Sequence, residues 1–431
     1  MIIKPARRLE GTVNLPGDKS ISHRAAMLAS IAKGTSRISN FAASEDCSST
    51  LRCLEGLGVE IRRDGTSIEV IGRGKNGLLA PRTPLDCGNS GTTMRLLSGI
   101  LAGQPCESTL IGDESLSRRP MKRIIGPLTE MGAAVEATDG HAPLTISGRS
   151  PLKPLNFELP VASAQLKSCV LLAGLYANGE TAVIETEPTR DHTERMLRAF
   201  GVDVAIRDGD ERRRIMISGS SVLTATDLQV PSDVSSAAFF LVASACLAGS
   251  RIEMPRVGLN PTRTGVIDVL RSFGASIEAA DERISGGEPI GTLIVSGDSR
   301  VGTRLNKVSG GIIANLIDEV PILAVFGTQV EGGIEIRDAG ELRVKESDRI
   351  AAVAENLRRM GADVEEFEDG LRVGRSRLHG AVIDSFGDHR IAMAFAVAGL
   401  FAEGETEIRG AECATVSFPG FYDVLSSVTN G

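Results

Sequence analysis

Two stretches of this sequence hold the residues best placed to do chemistry. The first is Pro16-Gly17-Asp18-Lys19-Ser20-Ile21-Ser22-His23-Arg24, where a short extended start meets a helix. The first N–H groups of a helix have no partner within it, and the positive end of its dipole points outward. Such an entrance attracts anions. Lys19 and Arg24 add positive charge and Ser20 adds a hydroxyl, which makes a seat for phosphate or carboxylate. The second is a set of acids among cations, Ile317-Asp318-Glu319 and Lys345-Glu346. A carboxylate in such company is either a salt-bridge partner or a proton-transfer group whose pKa is set by burial and neighbours. Spacing does not choose between the two.

The anion seat recurs along the chain. Asn89-Ser90-Gly91-Thr92-Arg95, Ser163-Gln165-Lys167, Ser232-Asp233, Asn315-Asp318 and Asp388-His389-Arg390 stand at further helix starts. A second series is Arg118-Arg119, Thr189-Arg190-Asp191-His192, Thr262-Arg263 and Lys345-Glu346-Ser347-Asp348-Arg349. Ser, Asn and Asp are ordinary N-caps. A lysine or arginine there opposes the dipole by ~0.3–1 kcal/mol unless an anion lies between them. Lys19, Arg119, Arg190, Lys345, Arg349 and Arg390 all break the rule, and repeated local violation marks a functional site. If the units share one orientation, these ends converge on one face of each lobe. Two facing lobes then enclose a positive cleft suited to substrates with several negative charges.

Two alternating patterns must position these residues. In one, a polar cap precedes an apolar, small-residue helix that ends in Gly and feeds a strand: Ser22–Gly34, Ser90–Gly103, Ser163–Gly179, Asp233–Gly249, Asp318–Gly333 and Asp388–Gly404. Capping physics favours both ends. In the other, an amphipathic helix ends at Gly58, Gly132, Gly201, Gly274 or Gly361 and enters a strand pair. Those pairs close on Gly72, Gly148, Gly219, Gly297 and Gly374. A period of about 70 residues makes roughly six α/β units. The last unit lacks its second half, which Ile2-Ile3-Lys4-Pro5 would complete. The chain therefore crosses twice, near Gly17–Lys19 and near Val230–Asp233. Residues 1–18 with 231–431 form one lobe, and 19–230 the other.

Composition excludes several classes. The net charge of -8 argues against a protein that wraps nucleic acid, and 3% aromatic content is too thin for base stacking. The apolar run Ala237–Ala248 is shorter than the ~18 residues a membrane span needs. Seven cysteines, an odd number with no C-x-x-C pair, fit a reducing cytoplasm better than a disulfide framework. The five histidines show no metal-ligand spacing. Gly72-Arg73-Gly74-Lys75-Asn76-Gly77 matches G-x-G-x-x-G, but Pro81 and Pro84 leave no helix for a dinucleotide.

Taken together, several motifs resemble the enolpyruvyl transferase family over essentially the whole length. They are the Pro16–Arg24 stretch, Gly88–Arg95, Arg119-Pro120-Met121, Ser163–Ser168, Arg190–Glu194, Ile317-Asp318-Glu319, Leu342–Arg349 and Gly387–Met393. The resemblance implies two lobes of three repeated α/β units each, with helix N-termini facing the interlobe cleft. It implies transfer of the enolpyruvyl group of phosphoenolpyruvate to the 5-hydroxyl of shikimate 3-phosphate, with release of phosphate and no metal or organic cofactor. By the same resemblance Lys19 contacts both substrates. Ser20, Arg24, Ser163, Ala164, Gln165, Arg190, Asp318 and Lys345 form the shikimate 3-phosphate seat. Gly91, Thr92, Arg119, Gln165, Arg349, His389 and Arg390 form the phosphoenolpyruvate clamp. Asp318 resembles the base toward the hydroxyl, and Glu346, helped by Lys19, the proton donor to the methylene carbon.

The chain departs from many members at Cys413–Pro419, where a lysine before Phe418-Pro419 is missing. Gly91 is not the alanine associated with glyphosate tolerance in some members, so glyphosate is an expected inhibitor. The expected state is a cytoplasmic monomer. The rival within the family is the branch that uses UDP-N-acetylglucosamine. That branch carries a reactive cysteine on an N-terminal loop, and the counterpart here, Gly112–Arg119, has none.

Overall fold

The computed structural model describes residues 1–209, 212–297 and 306–430. The chain divides into two compact units. One comprises Met1–Pro16, Pro231–Arg283 and Pro289–Gly431; the other comprises Gly17–Val230 and Ile284–Glu288. Each has its own apolar core.

The Gly17–Val230 unit is built three times on one plan. A short strand is followed by an apolar helix and a second strand parallel to the first. An amphipathic helix and an antiparallel hairpin then complete a four-stranded sheet. Leu85–Asp86 pairs in this way with Glu107–Ile111, and Asn156–Glu158 with Glu180–Glu185. The first sheet has no strand preceding its helix, and Leu228–Gln229 pairs parallel with Lys33–Ser39 instead. A parallel pair needs a long crossover, which the apolar helix supplies. In the other unit, Arg8–Thr12 pairs parallel with Arg251–Gly258, Lys307–Val308 with Ile334–Ile336, and Val382–Asp384 with Thr406–Arg409. Ile2–Ile3 adds to the last of these sheets, antiparallel to Thr406–Arg409.

The apolar helices are buried on nearly every face, which is why they are rich in Ala, Ser and Gly rather than amphipathic. Three boundaries differ from the sequence reading. The first helix runs Lys19–Ile31 rather than Ser22–Gly34, because the Asp18 carboxylate caps it by accepting from the Ile21 amide at 2.9 Å. Gly34 lies in the following strand at φ +107°. The single helix expected over Asp318–Gly333 begins instead with a 3₁₀ turn, Ile317–Glu319, followed by a helix Val320–Gly327, and a separate helix, Ile312–Leu316, precedes the turn. Asp318 is therefore a turn residue between helices, not an N-cap. No helix opens on Gly72–Gly77; Lys75 instead donates to the Leu175 carbonyl at the end of helix Ala164–Gly174 and to the Gly219 carbonyl. A cation suits the negative end of a helix.

Four of the five closing glycines have a common physical cause. A Cβ on Gly72, Gly148, Gly219 or Gly297 would overlap the carbonyl oxygen of Ala32, Leu101, Ala177 or Leu247. Each of these carbonyls lies at or just past the end of the apolar helix of the same repeat, so strand and helix end approach as only glycine allows. Gly219→Ala is expected to lower the calorimetric midpoint through a loss of about 1–3 kcal/mol. Gly126→Ala lies in helix Lys122–Glu130, where a Cβ meets nothing within 4 Å, and should raise stability by ~0.5–1 kcal/mol. Equal midpoints for the two variants would contradict this.

Candidate active site

In the Gly17–Val230 unit, the Asp18 cap places Lys19 in the first turn. Its ammonium pairs with the Asp46 carboxylate at 2.9 Å, in the first turn of helix Glu45–Gly56. Ser20 is half-buried beside it. His23 turns inward, with Nδ1 2.6 Å from the Thr50 hydroxyl. A chain of hydroxyls continues from Thr50 to Thr93 at 2.7 Å and from Thr93 to Ser90 at 2.8 Å. Ser90 caps helix Gly91–Ala102 by accepting from the Thr93 amide. Two helix entrances are thus joined through a buried polar line. Burial above all, then the charges of Lys19 and Arg24, push the His23 imidazole well below its ordinary pKa, so it is neutral.

Arg24 is buried and ties three helices together. It donates from Nε to the Thr193 hydroxyl at 2.7 Å, from Nη2 to the Ser168 hydroxyl at 2.9 Å and from Nη1 to the Ser20 carbonyl at 2.9 Å. At the entrance of helix Gly91–Ala102, Arg95 donates to the Gln165 amide oxygen at 2.7 Å. Gln165 in turn donates to the Thr92 hydroxyl at 2.9 Å. Arg119 donates to the Asn89 side-chain oxygen at 2.5 Å. A Cβ on Gly91 would stand 3.1 Å from Arg95 Nη1 and 3.4 Å from Arg119 Nη1. Two guanidiniums therefore converge above a bare backbone at a helix N-terminus, where an anion fits. Ser163 caps helix Ala164–Gly174, so Ala164 begins it. Arg190 is half-buried just before helix His192–Ala199. Lys167 does not join this face. It is fully buried, 3.0 Å from Glu185 and 2.7 Å from Glu194, because it falls on the inward side of its helix.

In the other unit, the site centres on Arg349, which is 2% exposed. Its guanidinium lies 2.7 Å from Glu346, 2.8 Å from Asp388 and 3.3 Å from Asp318. Burial pulls its pKa down, but Asp388, Glu346 and Asp318 outweigh that and hold it above its ordinary value. Asp388 also caps helix His389–Phe401, accepting from the Arg390 amide at 2.8 Å. The Arg390 guanidinium is nearly buried and has an ion-pair partner, Glu319, at 3.6 Å. Among the described residues it makes no hydrogen bond. Its donors are thus unsatisfied, as an anion site requires. His389 is buried beside it. Lys345 lies 3.7 Å from Glu341. Sequence reasoning does not name Asp46; it places Asn89, Arg95 and Glu319 in their motifs without giving them a substrate or a partner. Asp388 stands there at a helix start, without its contact to Arg349.

The EPSP synthase (3-phosphoshikimate 1-carboxyvinyltransferase) family profile matches residues 3–425. A relative from Koribacter versatilis is 52% identical over 428 residues, covering 99% of this chain and 98% of the relative. One from Pelotomaculum thermopropionicum is 54% identical over 428 residues, covering 98% and 97%. Both are named 3-phosphoshikimate 1-carboxyvinyltransferase. A solved EPSP synthase from Acinetobacter baumannii superposes with a TM-score of 0.87 at 43% identity, covering 99% of this chain and 97% of that one. The repeated α/β units and their cation-lined helix entrances are those of an enolpyruvyl transferase. Within that class, the chain belongs to the EPSP synthase family. Among the described residues no helix is long and apolar enough to cross a membrane.

The buried neutral His23 sets a pH dependence. Below about pH 6.5 the unfolded chain binds a proton there that the folded chain does not, so stability falls by up to about 1.4 kcal/mol per pH unit as pH drops. His23→Gln removes this component. Its midpoint is expected to fall less steeply between pH 7 and pH 5 than that of the parent; parallel profiles would contradict the assignment.

Proposed function

We infer that this protein transfers the 1-carboxyvinyl group of phosphoenolpyruvate to the 5-hydroxyl of shikimate 3-phosphate and releases phosphate. This is the shikimate-pathway step toward chorismate and the aromatic amino acids. The family match over residues 3–425 is the observation that carries the reading. The UDP-N-acetylglucosamine branch is not favoured, since the relatives at about half identity bear the other name and Gly112–Arg119 has no cysteine.

The chemistry moves two protons. The 5-hydroxyl loses one as its oxygen attacks C2 of phosphoenolpyruvate, and the methylene carbon C3 gains one. Loss of a proton from C3 and of phosphate from C2 then restores the double bond. Asp318 takes the hydroxyl proton, and Glu346, with Lys19, protonates C3. Both carboxylates support these roles by being about a fifth exposed, 20% and 19%, while one guanidinium fixes their orientation. Lys19, Ser20, Arg24, Ser163, Ala164, Gln165, Arg190, Asp318 and Lys345 hold shikimate 3-phosphate. Lys19, Gly91, Thr92, Arg119, Gln165, Arg349, His389 and Arg390 hold phosphoenolpyruvate. Arginine forks suit its phosphate and carboxylate. Glyphosate, an anion of similar charge, inhibits at this second set. The protein acts as a monomer in the cytoplasm, where its seven thiols stay free.

Phosphate release from phosphoenolpyruvate is expected with shikimate 3-phosphate and not with UDP-N-acetylglucosamine, and it should fall on adding glyphosate. Asp318→Asn should lower turnover by roughly 10²–10⁴-fold. No release with shikimate 3-phosphate would overturn the reading, and near-normal turnover in Asp318→Asn would overturn the role of that carboxylate.

A further inference from the structure

Glu319 is fully buried, next in sequence to Asp318, and turned toward a different arginine. Its Oε1 lies 3.6 Å from Arg390 Nη1 and accepts a short hydrogen bond from the Ser235 hydroxyl. Its Oε2 has no hydrogen-bond partner among the described residues. Ser235 accepts from Arg263 Nη2 at 2.7 Å, and the same nitrogen lies 3.4 Å from Asp233. A buried carboxylate with one oxygen unpaired is costly, and an apolar side chain of similar volume would serve the core better. Such a local conflict marks a role other than packing.

We propose that Glu319 is a positioning residue for phosphoenolpyruvate: it holds the Arg390 guanidinium by charge, from the protein side, and leaves the N–H donors for the anion. The inference rests on the reading that Arg390 binds phosphoenolpyruvate. A separation of 3.6 Å is too long for a good hydrogen bond but close enough for strong attraction in a dry interior. Glu319 therefore steers the guanidinium without consuming its donors. Arg390 is fixed at two points, its amide on Asp388 and its side chain beside Glu319. Asp318 and Asp388 both reach Arg349. The two consecutive acids of one 3₁₀ turn thus set two arginines, one holding the proton-transfer carboxylates and the other facing the anion. Ser235 and Arg263 anchor Glu319 in turn, so it does not swing toward the ligand.

The test is steady-state kinetics with each substrate varied. Glu319→Gln keeps the shape and the bond to Ser235 but removes the charge. It should raise KM for phosphoenolpyruvate about tenfold, the scale of one charge-assisted contact. KM for shikimate 3-phosphate and kcat should stay within about twofold, because neither depends on Arg390 being aimed at the anion. Arg390→Lys should raise the same KM, and the double variant should be no worse than Arg390→Lys alone. If Glu319→Gln does not fold, Glu319→Asp keeps the charge, draws it back by one methylene, and should shift the same KM in the same sense. The proposal is overturned if the Glu319 variants lower only the thermal midpoint, or if the two effects multiply in the double variant. An unchanged KM in Arg390→Lys instead overturns the assignment of Arg390 itself, and the proposal with it.

Discussion

One buried guanidinium gathers three carboxylates of this molecule around it. Arg349 faces Asp318, Glu346 and Asp388, which come from three different stretches of chain. Ion pairs of this kind contribute little net stability, because desolvation offsets most of the Coulomb attraction. Their value here is geometric. A planar fork can hold several carboxylates at fixed angles, which an ammonium cannot. A 3₁₀ turn, the bend at Lys345–Ser347 and a helix cap are thereby held in register around one cation. Arg390 hangs from the same Asp388.

The other unit uses hydroxyls where this one uses charges. His23, Thr50, Thr93 and Ser90 run from one helix entrance to the next, and Arg24 links three helices through Thr193, Ser168 and Ser20. Their buried polar atoms are costly when unpaired, so each link resists displacement of its neighbours. The helix entrances themselves carry the positive end of a helix dipole with cations close by, which suits an anion. A negatively charged protein can in this way present locally positive seats, since net charge and local potential are separate quantities.

Much of this was legible in the sequence for one reason: the repeat. Ser90, Ser163, Asp233 and Asp388 cap helices where the pattern places them, because capping is local chemistry. The closing glycines are visible in the sequence as punctuation, but the cause at Gly72, Gly148, Gly219 and Gly297, a helix-end carbonyl distant in sequence, is not. Asp18 escaped notice as a cap because the cation-rich residues after it drew the helix start toward Ser22. The turn at Ile317–Glu319 was hidden because hydrophobic runs on both sides are continuous, and an apolar helix gives no period to mark a break. Lys167 stands among the helix-start residues in the sequence because its partners, Glu185 and Glu194, lie on separate elements that spacing does not connect to it. The six cations that oppose helix dipoles divide in a way spacing cannot show. Arg349 is answered by the protein's own carboxylates, whereas Arg390 retains unfilled donors among the described residues.

The central claim is that a single guanidinium holds Asp318 and Glu346 in working position. Turnover of Arg349→Lys, measured by phosphate release with both substrates saturating, tests it most directly. A lysine keeps the charge but cannot fork between three carboxylates, so turnover should fall by roughly 10²-fold or more while circular dichroism is unchanged. Turnover within threefold of the parent would contradict the account.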